Sequence, residues 1–204
     1  LGACFRATTV PGARGKVTGP RLRGITPLLH ARVYSEGDFD AAAVQGEYQG
    51  FVPAAWRGRE GGMRRGSAVD AQVTRISRLS ALARSNAKML KFTKIVFNAL
   101  AHHGLKPFEG QRVVLDARRR IATAIDILCT RGANDNELVL VELKCGFSGN
   151  RTLAARDPKT RKPLTMRAPQ SLRKVPDSHL NRHLAQLATT VALFEGEMGT
   201  RECL

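Results

Sequence analysis

Three charged residues interrupt or end apolar stretches of the sequence. Asp126 lies between two isoleucines, and Glu142 and Lys144 follow the aliphatic run 138–141. A charged group is costly to bury unless it is paired or bound to a metal ion, so these positions are candidates for chemistry. Alternate residues of a strand share a face, so Glu142 and Lys144 are expected on one face and Leu143 on the other.

These residue types point to metal-dependent phosphoryl chemistry. If the two strands pair, the carboxylates of Asp126 and Glu142, with the nearby backbone carbonyl of Leu143, form an all-oxygen donor set suited to Mg²⁺ or Mn²⁺. A bound cation would lower the pKa of a water molecule and stabilise charge on the phosphorus oxygens. Lys144 would position the attacking hydroxide or neutralise the transition state.

The composition favours nucleic acid as substrate or partner. The 204 residues include 33 Lys and Arg against 17 Asp and Glu, a formal charge of +16. Contacts between basic side chains and phosphates release condensed counterions, which gives affinity without sequence specificity. A ribosome-like structural protein would carry the same charge, so the charge indicates the partner and leaves the activity open.

The cysteines and the hydropathy pattern point to an intracellular protein. The four cysteines are scattered and include no C-x-x-C pair, so neither a zinc ribbon nor a disulfide framework is expected. A reducing compartment is therefore predicted. No apolar run approaches the roughly 18 to 20 residues of a transmembrane helix, so no membrane association is predicted.

Three regions are predicted along the chain. Residues 1–35 contain six basic and no acidic side chains among many Gly and Pro, which predicts a basic flexible arm. Such a start is typical of an organelle (mitochondrial) transit segment, of a basic nucleic-acid-binding tail, or of a sequence that begins mid-chain, and these readings stay open. Residues 36–65 are predicted as a loop region rich in Gly, aromatic residues and Arg, and residues 66–204 as the core domain.

Helical spacing predicts two helices before the charged residues and one after them. The first begins near residue 67, and the second is expected to stop at Gly104. A basic, Pro-containing excursion over 146–176 precedes a late helix over 178–195. The residues predicted to face the core are Val69, Val73, Ile76 and Leu79 in the first helix, Phe92, Ile95, Val96, Ala99 and Leu100 in the second, and Leu180, Leu184, Leu187, Val191 and Phe194 in the late helix.

Three strands are predicted between these helices, over 111–116, 120–130 and 137–144. Residues 132–136 are rich in turn formers, so the last two strands are predicted to form a hairpin. Such a hairpin brings the Asp126 carboxylate toward the same edge as Glu142.

This pattern resembles the PD-(D/E)XK nuclease superfamily, in which an acidic residue on one strand precedes a (D/E)-x-K triplet on the next. Asp126 and residues 142–144 match that signature, and the order helix, three strands, helix matches the family core over residues 66–195. The resemblance implies an α/β, restriction-endonuclease-like core in which helices flank a small mixed sheet (α-β-β-β-α), with a final strand that is short or missing here.

The RecB-like and phage-exonuclease branch of that superfamily is the most similar. Asp70 follows Gly66 at the spacing of that branch's helix motif, and the resemblance makes it a third metal ligand, although capping or a salt bridge explains it equally well. Gln186 resembles the Gln of a Q-x-x-x-Y motif and is a catalytic or substrate contact on this reading, while Thr190 stands where Tyr is expected. The branch implies an exonuclease acting on DNA, with RNA left open.

The basic excursion supplies most of the expected phosphate contacts. The residues predicted to bind nucleic acid are Arg64, Arg65, Lys159, Arg161, Lys162, Arg167, Arg173 and Lys174.

His179 and His183, four residues apart, have the spacing of a metal pair, but no Glu-rich partner motif accompanies them, so a solvated helix face is favoured.

Two hypotheses of different classes follow. One is a Mg²⁺- or Mn²⁺-dependent nuclease whose catalytic residues are Asp126, Glu142, Lys144 and Gln186. The other is a nucleic-acid-binding structural subunit of a larger ribonucleoprotein that keeps a nuclease-like fold. The intact acidic and lysine residues favour the enzyme, whereas the basic arm and the missing final strand favour the subunit.

Overall fold

A four-stranded mixed β-sheet flanked by helices forms the centre of the protein, which confirms the predicted α/β class. The computed structural model describes residues 22–39, 58–132, 135–144 and 151–202. The strands are β1 (Arg23–Gly24), β2 (Lys106–Asp116), β3 (Ile121–Arg131) and β4 (Glu137–Val141). The helices are α1 (Ile25–Arg32), α2 (Gly58–Ser77), α3 (Ala81–Ser85), α4 (Lys91–His102) and α5 (His179–Glu202), with a 3-10 turn at Gln170–Leu172. No helix in the described ranges is long and apolar enough to cross a membrane.

Strand β3 lies at the centre of the sheet and pairs with the other three strands. It runs antiparallel to β2 over almost its full length, and antiparallel to β4 from Ile127, which lies opposite Val141. This confirms the predicted hairpin, and β1 adds a short parallel pairing at Ile121. Helices cover both faces of β3, which explains its almost continuous apolar sequence and makes Asp126 an exception within it.

Helices α2 and α4 cover one face of the sheet. Val69 and Val73, one turn apart on α2, pack against Ile127 and Cys129 of β3. These four side chains and Ile76 are fully buried, so the face predicted for the first helix is confirmed at Val69, Val73 and Ile76. Leu79 was also predicted on this face, but it is half-buried and follows the end of the helix.

Helix α4 stops where predicted and turns most of the predicted residues toward the core. Gly104 follows it with a φ of +66°, a left-handed conformation that commonly ends helices. The prediction that Ile95 and Ala99 are buried is wrong, since Ile95 is 48% exposed and Ala99 also faces solvent. Leu100 is buried, and Phe92 and Val96 pack against the same cluster, so these three predictions are confirmed, and Thr93 is a further buried position.

Helix α5 covers the opposite face. Phe194 packs against Ile125 and Leu128 of β3, as the late helix was predicted to do. The prediction that Leu180 and Leu184 are buried is wrong, because they are 40% and 52% exposed. The inner side of this half of α5 carries polar residues with hydrogen-bond partners, so apolar periodicity alone selects the wrong face.

Several element boundaries differ from those predicted. Helix α2 begins at Gly58, within the region predicted as loop, and β2 begins at Lys106, five residues early. The start of β2 is hard to recognise in the sequence, because Pro107 and a register shift just after it weaken the alternating pattern. Strand β4 ends at Val141, and α5 runs to Glu202 with no strand after it in the described part of the chain.

Part of the predicted flexible arm belongs to the folded unit. Strand β1 and helix α1 lie within it, and Leu29 and Tyr34 form a buried cluster with Met166 from the basic excursion. The boundary at residue 35 is therefore wrong over this segment. The rest of the arm, residues 1–21, and most of the predicted loop, 40–57, lie outside the described residues.

An ion pair between Asp177 and Arg182 ties this N-terminal segment to the start of α5. The guanidinium donates to both carboxylate oxygens, at 2.6 and 2.9 Å, and to the carbonyl oxygen of Ser35. It also lies over the rings of Tyr34 and Phe39. Burial by itself raises the pKa of Asp177, but hydrogen bonds from Arg182 and Ser35 outweigh it and hold that pKa below its usual value.

Replacing Arg182 with Met is expected to lower the free energy of unfolding by about 3 kcal/mol, because Asp177 would keep a buried charge without its partner. Adding Asp177→Asn should restore much of the loss. Chemical denaturation at pH 7 measures both effects. Arg131→Met, which breaks the exposed pair with Glu137, is the matched control and should change stability little. Equal losses at the two pairs would contradict this account.

Candidate functional site

The regular strand pattern breaks at the position where Gln111 of β2 lies opposite Asp126 of β3. Gln111 has a φ of +53°, a left-handed conformation that is uncommon for residues other than glycine. Ile125 and Ile127 are two residues apart and would share a face of a regular strand, but they pack into different core clusters. The Asp126 side chain therefore lies at a local irregularity, a feature that is over-represented at functional sites.

The amide of Gln111 joins two carboxylates from different elements. Its Nε2 atom donates to Oδ1 of Asp70 on α2 at 2.7 Å, and to Oδ1 of Asp126 at 3.1 Å. Asp70 is thus beside the predicted site and is neither a helix cap nor part of a salt bridge within the described residues. Sequence reasoning missed Gln111, because a polar residue at the expected start of a strand gives no signal of its own.

The other oxygen of Asp126 contacts the segment that follows β4. Asp126 Oδ2 accepts a hydrogen bond from the backbone N–H of Leu143 at 2.7 Å. Continuing the register of Ile127 with Val141 by one position places Asp126 opposite Glu142. Leu143 therefore contacts Asp126 through its backbone, as a donor, and its side chain packs against the core that α2 and α4 cover.

Burial and like charges disfavour the ionised form of Asp126. Burial raises its pKa to about 6, from a usual value of 3.8. The hydrogen bond from Leu143 and the charge of Lys144 lower this pKa, whereas the charges of Glu142 and Asp70 raise it further. A positive charge close to Asp126 would therefore stabilise its ionised form.

Glu142 is held by its neighbour and by α5. Lys144 Nζ pairs with its Oε1 atom, and Nε2 of Gln186 donates to the same oxygen at 2.8 Å. The Glu142 side chain is only 10% exposed. The hydroxyl of Thr190 donates to the backbone carbonyl of Gln186 and is buried, so the position where the motif expects Tyr has a packing role here.

Two histidines of α5 lie at the edge of this group. The His179 ring stacks on Phe39 at 3.9 Å between centroids and lies 6.4 Å from that of His183. Burial lowers the pKa of His183 to about 4, and the charges of Lys144, His179 and Arg151 act in the same direction. The expectation of a solvated face is wrong for this pair, which is half-buried, and His183 is uncharged near pH 7.

The basic residues predicted to bind nucleic acid divide into buried and exposed members. Arg65 is 2% exposed, and its guanidinium lies over the ring of Phe92, so it does not belong to the exposed basic surface. Arg167 donates to the carbonyl of His30 and pairs with Glu36. The residues of the predicted set that lie at the surface are Arg64, Lys159, Arg161, Lys162, Arg167, Arg173 and Lys174.

The donors at this site fit a hydrated hard cation better than a fully protein-bound one. In the described ranges, no three or more His, Cys, Asp or Glu side chains form a group that could hold a metal ion by themselves. Mg²⁺ keeps several waters and commonly binds through one or two carboxylates. Asp70 and Asp126, held by one neutral amide, are the carboxylates that suit such an ion, with Glu142 close to Asp126.

Replacing Asp126 with Asn is expected to raise the free energy of unfolding in EDTA at pH 7 by about 1 kcal/mol, allowing for partial exposure of the group. Because folding raises the pKa of Asp126, the unmodified protein loses stability as the pH rises from about 4 to 6. The difference in stability between the variant and the unmodified protein should therefore be largest above pH 6 and small near pH 4. Thermal denaturation against pH measures it.

The matched control for this variant is Asp116→Asn on β2. A hydrogen bond from the backbone of Arg119 lowers the pKa of Asp116, so its neutralisation should not stabilise the protein. If Asp126→Asn were less stable than the unmodified chain above pH 6, the carboxylate would be an ordinary structural group.

Comparisons with known proteins give no relative for this chain. No family model matches the sequence, and no curated protein or solved structure matches it.

Proposed function

We propose that this protein is a Mg²⁺-dependent nuclease of the PD-(D/E)XK type, which hydrolyses phosphodiester bonds in DNA as an exonuclease. The observation that carries the proposal is the way the carboxylates are held. Asp70 and Asp126 accept hydrogen bonds from the amide of Gln111 and the backbone of Leu143, which are neutral donors. A site whose carboxylates keep their charge is suited to a divalent cation.

The pairing of carboxylates elsewhere in the chain strengthens this argument. With 33 Lys and Arg available, most other carboxylates described form ion pairs with a basic side chain. Those pairs are Glu36 with Arg167, Glu109 and Glu197 with Arg112, Asp116 with Arg119, Asp135 with Lys106, Glu137 with Arg131, Asp177 with Arg182 and, at the site itself, Glu142 with Lys144. Within the described residues, Asp38, Asp70, Asp126, Asp157 and Glu195 form no such pair, and of these Asp70 and Asp126 are the two that share one amide donor.

In the proposed site, Asp70 and Asp126 would hold the cation and Glu142 would supply a further carboxylate oxygen. A bound Mg²⁺ activates water and neutralises charge on the phosphate oxygens. Gln186 keeps the Glu142 carboxylate in one orientation by donating to it. This support comes from α5, so the late helix contributes to the site without touching the reacting groups.

Lys144 is the candidate for direct action on the phosphate. Its side chain is 30% exposed and its ammonium lies against Glu142, so it can turn toward a phosphate while staying near the carboxylates. There it would orient the attacking water or neutralise charge in the transition state. The neighbouring His183 is uncharged near pH 7, so it adds no positive charge beside Lys144.

Exposed basic residues of the 146–176 excursion are suited to the nucleic-acid backbone. Lys159, Arg161 and Lys162 lie on a turn in which the backbone N–H groups of Lys159 and Thr160 donate to the carboxylate of Asp157. Phosphate contacts from such residues give affinity that does not depend on sequence. DNA and exonuclease action follow from the resemblance to the phage-exonuclease branch, and RNA remains the alternative substrate.

The second candidate function is a nucleic-acid-binding structural subunit. The observation that favours it is the ion pair of Lys144 with Glu142, which occupies the catalytic lysine in this structure. An assay with Mg²⁺, Mn²⁺ or EDTA on labelled single- and double-stranded DNA and RNA distinguishes the two. Tight binding without metal-dependent cleavage of any substrate would assign the protein to the structural class.

Lys144→Ala is expected to lower the cleavage rate by at least about 100-fold while nucleic-acid binding changes little, because the ammonium acts in the transition state. Single-turnover cleavage and a binding titration measure the two quantities separately. Lys106→Ala, at an exposed lysine that pairs with Asp135, is the matched control and should leave both unchanged. Loss of binding and cleavage in parallel for Lys144→Ala would contradict the catalytic role.

Replacing Lys159, Arg161 and Lys162 together with Ala is expected to reduce the slope of log affinity against log salt by about 2 to 3, because each lost phosphate contact contributes roughly 0.9. Binding of duplex DNA over a range of KCl concentrations measures the slope. The control removes the same charge from the turn between β2 and β3, at Arg118, Arg119 and Arg120. A greater effect in the control would place the interface elsewhere.

A further inference from the structure

The side chain of Gln111 fills the space between two carboxylates. Its single Nε2 atom contacts Oδ1 of Asp70 at 2.7 Å and Oδ1 of Asp126 at 3.1 Å. A side-chain amide nitrogen has two hydrogens, so both are used on anions. The left-handed backbone of Gln111 coincides with the irregularity in β2 and β3, which makes the placement a specific feature of this sheet.

We propose that Gln111 is a positioning residue that occupies the place of a divalent cation in the metal-free protein and is displaced when the cation binds. The inference rests on the proposed function, because it concerns the same metal site. Asp126 Oδ2 already accepts from the backbone of Leu143, so Oδ1 is the oxygen directed at the shared space. An ion bound by Oδ1 of both Asp70 and Asp126 has to lie between them, where Nε2 of Gln111 now lies.

The amide and the cation exclude each other on electrostatic grounds. The amide hydrogens carry partial positive charge, and a cation within bonding distance of the same oxygens would repel them. Without an ion, the amide separates two like charges and reduces the cost of holding them together. Gln111 therefore stabilises the empty site and competes with the ion for it.

This competition predicts an effect that a purely structural residue would not produce. Removing the amide should make the metal-free protein less stable and make the site bind a cation more tightly. A residue that only holds the carboxylates in place would weaken both properties when removed. The sign of the change in metal affinity thus distinguishes the two roles.

The first experiment replaces Gln111 with Met, which keeps the length of the side chain and removes the donor. Mn²⁺ binding is followed by the electron paramagnetic resonance signal of the free ion, with uptake by Asp126→Asn subtracted as background. The dissociation constant should fall about tenfold, the order expected when a competing charge-assisted hydrogen bond is lost. The unfolding temperature in EDTA should fall at the same time.

Gln72→Met is the matched control on α2. The Gln72 amide donates to the carbonyl of Lys88 and accepts from the backbone of Leu90, so it also makes two hydrogen bonds. Its loss should lower the unfolding temperature and leave the Mn²⁺ dissociation constant unchanged.

The second variant, Gln111→Lys, puts a permanent positive charge between the carboxylates. It should raise the unfolding temperature in EDTA above that of the unmodified chain and abolish Mn²⁺ uptake, because the ammonium takes the place of the ion. This variant keeps the proposal testable if Gln111→Met folds poorly.

Each outcome has a separate meaning. An unchanged or larger Mn²⁺ dissociation constant in Gln111→Met, or no stabilisation in Gln111→Lys, would overturn the place-holding role while leaving the metal site intact. If the unmodified chain takes up no more Mn²⁺ than Asp126→Asn does, the proposed metal site itself fails, and the role of Gln111 fails with it.

Discussion

The constraint on which this structure depends is a carboxylate on the central strand of the sheet. Strand β3 pairs with the other three strands and is covered on both faces, yet it carries Asp126 in its middle. Burial raises the pKa of this group to about 6, so its ionised form costs stability near neutral pH. The left-handed Gln111, the hydrogen bond from Leu143 and the break in strand alternation are all arranged around that one side chain.

Other parts of the fold support the elements that meet at Asp126. The pair of Asp177 and Arg182 fixes the first turn of α5 against the N-terminal segment, and α5 in turn presents Gln186 to Glu142. The basic excursion packs through Met166 onto that same segment. The elements that meet at Asp126 are thus held by contacts that lie outside the sheet.

The sequence predicts those parts of the fold in which one kind of interaction dominates. The buried row of Val69 and Val73 is purely apolar and was recognised, as was the hairpin of β3 and β4. The predictions of buried residues are wrong where polar side chains are buried with hydrogen-bond partners. The inner side of the first half of α5 carries His183 and Gln186, so the exposed Leu184 was misassigned to the core.

The candidate site also contains residues that the sequence identifies and one that it does not. Asp126, Glu142 and Lys144 are detectable because charges in apolar strands are unusual, and the structure brings them together. Gln111 is not detectable, since its importance depends on a left-handed backbone angle and on Asp70, which is 41 residues away in sequence. Such a residue can be identified only from the structure, in which the sheet aligns β2 with β3.

The charge balance of the site is the strongest reason to connect this fold with metal chemistry. The chain carries a net charge of +16, and yet Asp70 and Asp126 are satisfied by an amide and a peptide N–H. A guanidinium in the place of Gln111 would pair with both carboxylates and stabilise the sheet, but its charge would cancel one of their two negative charges and repel an ion. A neutral donor holds the carboxylates in position and adds no positive charge of its own. The arrangement costs stability in the ion-free protein, as the proposed cation site requires.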